Sequence, residues 1–175
     1  MPSRDPLADP TPLIRRVYSF VAFHVGQGAA AEDITSDVFE RAVRYRESYD
    51  PGKGSPVTWL LGIARRSMAA AQLDPHLGHS ELHEAPDGRD LEEDTLRRLE
   101  LSRELGRLDH RERELLALRY GAGLSSREIG AFLGLEPNAV DVALHRTRAR
   151  LKTGLADGGP PPRSAASRGR EPAPG

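Results

Sequence analysis

The sequence has no cysteine and no long hydrophobic run. The absence of cysteine among 175 residues excludes disulfides, thiol nucleophiles and cysteine-ligated zinc. No apolar stretch approaches the roughly 18 residues of a membrane span, and the first ten residues lack the apolar core of a signal peptide. We therefore expect a cytoplasmic protein that does not insert into membranes.

Recognisable catalytic and cofactor-binding patterns are also missing. The chain shows no Ser/His/Asp constellation, no phosphate-cradling glycine loop and no carboxylate pair set against an apolar pocket. Three of its six histidines, His76, His79 and His83, lie in an acidic stretch, but their spacing fits no closed metal site. The sequence therefore predicts a protein that is not an enzyme and that uses neither a cofactor nor a metal.

The sequence does contain an uneven distribution of charge along the chain, although its net charge is only −1. Residues 12–71 carry eight basic and six acidic side chains, residues 72–94 carry one and eight, and residues 95–152 carry twelve and eight. Two slightly cationic modules are thus joined by an acidic connector, which suits a polyanionic partner. A charge this modest implies weak binding by each module alone.

The pattern of apolar residues predicts an all-α protein with two small helical domains. Apolar residues recur at helical spacing in residues 12–72 and again in residues 95–155. Turn-forming residues without periodicity mark 73–94 as a flexible linker, and residues 1–11 and 156–175 are predicted to be disordered. We expect three to four helices in the first domain and four in the second.

In the first domain, we predict helices that begin near Leu13, at about Ala30 and at Pro56. The outer face of the second helix is mixed in charge sign. The expected core includes Tyr45 at the end of that helix. It also includes Trp59 in the third helix, where packing is favoured over stacking on a base.

The second domain contains the pattern of a helix-turn-helix between residues 108 and 151. Asp109 with Glu112 and Ser125 with Glu128 form two capping signatures, and Gly134 marks the tight turn. The last helix carries an apolar seam of Val140, Leu144, Thr147 and Leu151. Its opposite face carries Asn138, Asp141, His145, Arg148 and Lys152. This pattern predicts a helix that lies in a DNA major groove; a helical bundle with a merely solvated charged face is the alternative.

Two segments of the chain resemble a known family. AEDITSDVFERAVRYRESYDPGKGSPVTWLLGIARR is similar to region 2 of the extracytoplasmic-function sigma factors, and RLDHRERELLALRYGAGLSSREIGAFLGLEPNAVDVALHRTRARL is similar to their region 4. The order of the two segments and the acidic linker agree with that family over residues 12–152. The resemblance implies a bacterial initiation factor that binds core RNA polymerase, directs it to promoter DNA and is controlled by an anti-sigma partner.

The resemblance also implies three binding surfaces. The clamp of the largest polymerase subunit would contact the second helix at Glu32, Asp33, Asp37, Glu40 and Arg41. The minus-ten promoter element would contact Lys53, Ser55, Trp59, Arg65 and Arg66. The minus-thirty-five element would contact the recognition helix and its support at Arg127, Asn138, Asp141, Val142, His145, Arg146, Arg148 and Arg150.

The chain departs from the family pattern at two places. Arg66 stands where the family often has asparagine. Asp141, Val142 and Ala143 replace a common Lys-Ser-Arg, which weakens generic attraction to phosphate. Asp141 either accepts from a cytosine amino group or balances the positive charge near the start of the helix. An alternative function shares the second domain: a regulator that binds operator DNA as a dimer without replacing the sigma subunit. Only the first 72 residues discriminate between the two.

Overall fold

The computed structural model describes residues 5–72 and 91–157. Within these ranges the chain forms seven α-helices. They are α1 (Pro10–Val25), α2 (Ala29–Arg44), α3 (Pro56–Gln72), α4 (Leu91–Arg107), α5 (His110–Leu116), α6 (Ser126–Leu133) and α7 (Pro137–Asp157). A 3₁₀ turn (Arg46–Ser48) follows α2, and a π turn (Ala117–Gly121) follows α5. The all-α prediction is confirmed.

The first module is a bundle in which α1, α2 and α3 all contact one another. Each helix contributes an apolar stripe, and the fully buried side chains include Val17 and Phe20 from α1, Val38 from α2 and Leu60 and Leu61 from α3. Burying an aliphatic or aromatic side chain of this size stabilises the fold by roughly 1.5–3 kcal/mol. Val17, Phe20, Val38 and Leu60 lie at positions that the helical periodicity predicts to be inward, whereas Leu61 was not predicted to be buried.

The N-terminal expectation is corrected by the structure. Residues 5–11 are not disordered: Pro6 is buried, Leu7 packs against the core, and the Leu7 N–H donates to Asp5 Oδ1 at 3.0 Å. Helix α1 then begins at Pro10, because a proline fits the first turn of a helix, where its missing N–H has no partner to lose. Residues 1–4 lie outside the described residues.

Tyr45 is a second correction. Its side chain is 56% exposed and does not lie in the core. The reason is that α2 ends at Arg44, and the chain enters the 3₁₀ turn after Tyr45. Trp59 is only partly buried and packs against the edge of the core. Both aromatic side chains are therefore available to a partner.

The second module comprises α4 to α7, and its local signals are the ones that the sequence predicts. Asp109 and Ser125 each cap a helix in a complete capping box, with Glu112 and Glu128 returning the hydrogen bond. Gly134 ends α6 in the left-handed conformation at φ 70°. These three devices fix where α5, α6 and α7 begin and end.

Three boundaries of the second module differ from the predicted ones. Helix α4 begins at Leu91, so residues 91–94 of the expected linker are helical, and α7 continues to Asp157. The helix that begins at His110 widens into the π turn, where the Ala122 N–H donates to the Ala117 carbonyl at 2.8 Å. Residues 73–90 and 158–175, which cover most of the predicted linker and the predicted tail, lie outside the described residues.

The π turn joins the two modules by packing against α1. At Gly121 the approach is so close that a Cβ atom would lie 3.0 Å from the backbone of Ser19 and Phe20. Nearby, the Arg16 guanidinium donates to the carbonyls of Ala122 at 2.5 Å and Gly123 at 3.4 Å. The two modules are thus in direct contact in this structure.

Candidate nucleic-acid interface

The second helix of the helix-turn-helix, α7, separates its seam from its polar face as predicted. Val140, Leu144 and Thr147 are buried, and Leu151 is partly buried. The predicted contact residues on this helix are all exposed: Asn138, Asp141, Val142, His145, Arg146, Arg148 and Arg150. Arg127, at the start of α6, is exposed as well. These eight exposed residues, four of them arginines, are the proposed DNA-contact strip of α6 and α7.

Two side chains of this strip already have partners within the module. The Ser126 hydroxyl donates to the Asp141 carboxylate, and Arg150 forms an ion pair with Glu112 of α5. The first contact fixes the acidic group on the recognition helix. The second ties the helix to the capping box of α5, so a phosphate would compete with Glu112 for Arg150.

In the first module, a tight loop precedes α3. The Tyr49 hydroxyl donates to the Gly54 carbonyl at 3.0 Å, and the Lys53 N–H donates to the Asp50 carbonyl at 3.0 Å. Ser55, a predicted DNA contact, instead accepts from the Thr58 N–H at 3.3 Å and so helps to cap α3. The exposed Lys53 side chain lies 3.8 Å from Asp50 and remains accessible to a phosphate.

An open pocket of about 160 Å³ lies beside this loop, between α2 and α3. Its lining combines aromatic and cationic side chains: Arg41, Tyr45, Ser48, Trp59, Ile63 and Arg66. The Trp59 ring is held by Tyr49, whose ring centroid lies 5.5 Å away. An aromatic wall with arginines at its rim has the chemistry of a stacking platform for an unpaired base.

Arg65 is the predicted minus-ten residue that the structure places in an unexpected contact. Its Nε donates to Glu114 Oε1 of α5 at 2.9 Å, and its guanidinium lies over the Phe132 ring of α6 at 5.5 Å from the centroid. The Arg65 side chain is 46% exposed, whereas that of Glu114 is 8% exposed. Arg66, by contrast, is exposed and lines the aromatic pocket.

The predicted polymerase surface lies on the outer face of α2. Glu32, Asp33, Glu40 and Arg41 are exposed. Asp37 is partly buried because its carboxylate accepts from Ser67 of α3 at 2.6 Å and from Arg41 at 2.9 Å. Burial alone would raise the pKa of Asp37, but these two hydrogen bonds outweigh it and lower the pKa. Asp37 therefore stays ionised and also fastens α2 to α3.

Several residues at these surfaces were not predicted. Tyr45 lines the aromatic pocket and the Tyr49 ring contacts Trp59. The position of both tyrosines next to the turn-rich loop is the signal that could have identified them as site residues. Arg16, Glu114 and Phe132 join the modules, and no local pattern in the sequence marks them.

His76, His79 and His83 lie outside the described residues. Within residues 5–72 and 91–157, no cluster of metal-ligating side chains is found, and no helix has the length and hydrophobicity to cross a bilayer.

Comparisons with known proteins match both modules in order. Residues 11–71 match the family model of sigma-70 region 2, and residues 98–151 match that of sigma-70 region 4. The chain is 33% identical to the RNA polymerase sigma factor CarQ of Myxococcus xanthus over 148 residues, which cover 78% of this chain and 81% of that protein. It is 30% identical to the ECF RNA polymerase sigma factor SigK of a Mycobacterium species over 157 residues, which cover 80% and 74% of the two chains.

A solved structure has the same fold. The sigma factor RpoE of Bartonella quintana, crystallised with the anti-sigma factor NepR, superposes with a TM-score of 0.64 at 21% identity, covering 88% of this chain and 98% of that one. An operator-binding regulator would share only the second module, whereas the match over residues 11–71 accounts for the first. The chain therefore belongs to the sigma-70 family and, within it, to the extracytoplasmic-function sigma factors.

Proposed function

We propose that this protein binds core RNA polymerase and directs it to promoter DNA, with each module carrying a separate part of the task. The observation that carries the proposal is the pairing of a region 2 match at residues 11–71 with a region 4 match at residues 98–151. A helix-turn-helix alone is common to many regulators. The first module is what distinguishes a sigma subunit from them.

The polymerase contact is assigned to α2. Its outer face presents Glu32, Asp33, Glu40 and Arg41 to solvent. Exposed residues of both charge signs provide specific ion pairs at an interface and speed encounter with a partner of complementary charge. Asp37 supports this surface, because its bonds to Ser67 and Arg41 hold α2 in place and orient the Arg41 side chain.

The minus-ten contact is assigned to the loop before α3 and to the aromatic pocket. Lys53 and Arg66 are exposed cations that suit backbone phosphates. The pocket between Tyr45 and Trp59 is suited to an unpaired base, and extruding a base from a duplex costs only a few kcal/mol. We therefore propose strand opening by base capture, without catalytic chemistry in this chain.

The minus-thirty-five contact is assigned to α7 lying in the major groove. The exposed Arg146 and Arg148 suit phosphates and fix the register, while Asn138, Asp141 and His145 suit base edges. Arg127 at the start of α6 supplies a further phosphate contact beside the groove.

We also propose a protein partner that binds the two modules while they are in contact with each other, an arrangement that we call the closed form. The RpoE factor was crystallised with an anti-sigma factor, and its fold covers both modules of this chain. A partner that binds both modules at once would stabilise the closed form by its differential affinity for that form. We place the protein and this control in the cytoplasm, where the polymerase acts on DNA.

Run-off transcription with purified core polymerase tests the proposal. Core alone and core with the full chain are compared on genomic fragments, and gel filtration measures co-elution of the chain with core. We expect co-elution and transcripts that start at defined sites only when the chain is present. Absence of co-elution together with absence of specific transcripts would reject a sigma function.

A further inference from the structure

Arg65 is held by two chemical groups of the second module. Glu114 contributes a carboxylate at 2.9 Å and Phe132 contributes an aromatic face at 5.5 Å. Both groups lie in the helix-turn-helix module, on α5 and α6 respectively. An arginine that the sequence assigns to the minus-ten element, next to Arg66 of the pocket, is thus engaged by the module that is proposed to read the minus-thirty-five element.

These two groups have the chemistry by which single-stranded DNA binds arginine. A carboxylate accepts charge-assisted hydrogen bonds from guanidinium as a phosphate does. An aromatic ring offers the π-face that a nucleobase would offer. Glu114 and Phe132 therefore offer Arg65 the two interactions that promoter DNA would offer: an anionic hydrogen-bond acceptor and an aromatic face.

The contact cannot persist when both promoter elements are bound. The element names place them about 25 base pairs apart, or about 85 Å at 3.4 Å per pair. Helix α6 has eight residues and is therefore about 12 Å long, with Phe132 near its end. Ser126, at its beginning, bonds to Asp141 of the recognition helix. Arg65 and Asp141 thus lie far closer together than the two elements.

We infer that Glu114 and Phe132 form an intramolecular competitor for DNA, which occupies Arg65 in the closed form and must leave before the first module binds the minus-ten strand. The inference rests on the proposed function. The contacts of Arg16 with Ala122 and Gly123, and of Gly121 with α1, hold the competitor in place.

Gly121 and Gly106 provide a matched pair of variants to open the closed form. Gly121→Ala places a Cβ atom 3.0 Å from the backbone of α1, so the π turn and α1 must move apart by a few tenths of an ångström, which weakens the contact between the modules. Gly106→Ala meets no atom within 4 Å and serves as the control. Glu114→Gln weakens the competitor itself by removing its charge, and Arg65→Gln removes the group for which DNA and Glu114 compete.

Two quantities are measured on each full-length variant. The distance between the modules is followed by energy transfer between dyes on Ala70→Cys in α3 and Ser102→Cys in α4, both exposed positions in a chain without other cysteines. The affinity for a labelled 20-nucleotide single strand is measured by anisotropy at fixed salt. Circular dichroism verifies that each variant is folded.

We expect Gly121→Ala and Glu114→Gln to lower energy transfer and to tighten single-strand binding about fivefold, which corresponds to the loss of one modest ion pair. Gly106→Ala should match the parent in both quantities. Arg65→Gln should open the molecule without any gain in affinity.

Opening without tighter binding in Gly121→Ala and Glu114→Gln would overturn the competition, as would unchanged energy transfer in both variants. Absence of both co-elution with core and specific transcripts for the parent chain would instead refute the proposed function. The two failures are therefore distinguishable.

Discussion

Ser126 and Asp141 are joined across the helix-turn-helix by a hydrogen bond from the serine hydroxyl to the aspartate carboxylate. The bond links the first residue of α6 to the face of α7 that is proposed to enter the groove. It leaves an acid, held in one orientation, among the exposed residues of the proposed DNA-contact strip. An acid in that place discourages generic attraction to phosphate and suits a cytosine amino group.

Replacing Asp141 should therefore change affinity and specificity in opposite directions. Asp141→Ala is expected to raise affinity for random duplex about threefold at low salt, because one repulsive charge is removed. It should also remove a preference for cytosine of about 1 kcal/mol at one position of the minus-thirty-five element. Anisotropy titrations against a set of single-base duplex variants measure both effects. Equal losses on every duplex would contradict a base-reading role.

Arg148 should behave as a phosphate contact. It is exposed on the proposed groove face, so Arg148→Ala should weaken duplex binding to a similar extent for all sequences and reduce the slope of log K against log salt by about 1. The matched control is Arg103→Ala, an exposed arginine of α4. If both substitutions changed the slope equally, the helix face would have no special role.

Two glycines should respond oppositely to alanine. At Gly130 a Cβ atom would lie 2.5 Å from the Leu135 carbonyl oxygen, so Gly130→Ala should lower the free energy of unfolding by about 2 kcal/mol or more. Gly62 is inside α3 with no atom within 4 Å of the added carbon, and Gly62→Ala should raise it by up to about 1 kcal/mol. Urea unfolding followed by circular dichroism gives both values. Destabilisation by Gly62→Ala would contradict the open space at this position of α3.

Acidification should weaken the contact around His24. Burial lowers the pKa of His24, although the Phe20 carbonyl and Glu114 act in the opposite direction, and His110 and Arg113 add to the lowering. The ring centroid of His24 lies 6.1 Å from that of His110 across the two modules. A lowered pKa means that unfolding takes up a proton, so this contribution is complete above about pH 6.5 and is lost as the pH falls through the lowered value.

Chemical unfolding at pH 7.5 and pH 5.5 tests that dependence. The parent should lose more stability between the two values than His24→Gln does, because glutamine does not titrate. Asp37 and Glu128 also have lowered pKa values, the latter through hydrogen bonds from Ser125, but their contributions are lost only in more acidic solution. An identical loss in parent and variant would exclude His24 as the cause.

Much of the second module could be predicted because its signals are local. Helix boundaries in this module are set by the capping residues Asp109 and Ser125 and by the left-handed Gly134. Each of these residues interacts with residues a few positions away, so a short stretch of sequence is enough to predict the boundary. Tyr45 illustrates the limit of the apolar pattern. It continues the periodic stripe of α2, but the helix ends one residue earlier and leaves the ring exposed.

The contact between modules could not be predicted from the sequence. Arg65, Glu114 and Phe132 lie on three helices and meet through the packing of α5 and the π turn on α1. The residues next to Arg65 in the sequence do not indicate whether its guanidinium binds a carboxylate of the same chain or a phosphate of DNA. The assignment of Arg65 to DNA therefore remains a prediction, and the contact with Glu114 is what the structure adds.

The central claim is that the two modules bind promoter DNA at separate elements while core polymerase is bound. The most direct measurement is DNA cleavage by an iron chelate tethered to one introduced cysteine at a time, in complex with core polymerase and a promoter identified by run-off transcription. Ala139→Cys at the start of α7 and Gly52→Cys in the loop before α3 are exposed sites for the reagent. We predict cleavage near minus thirty-five from the first and near minus ten from the second, about 25 base pairs apart. Cleavage by both reagents at one place, or no cleavage above that of core alone, would contradict the account.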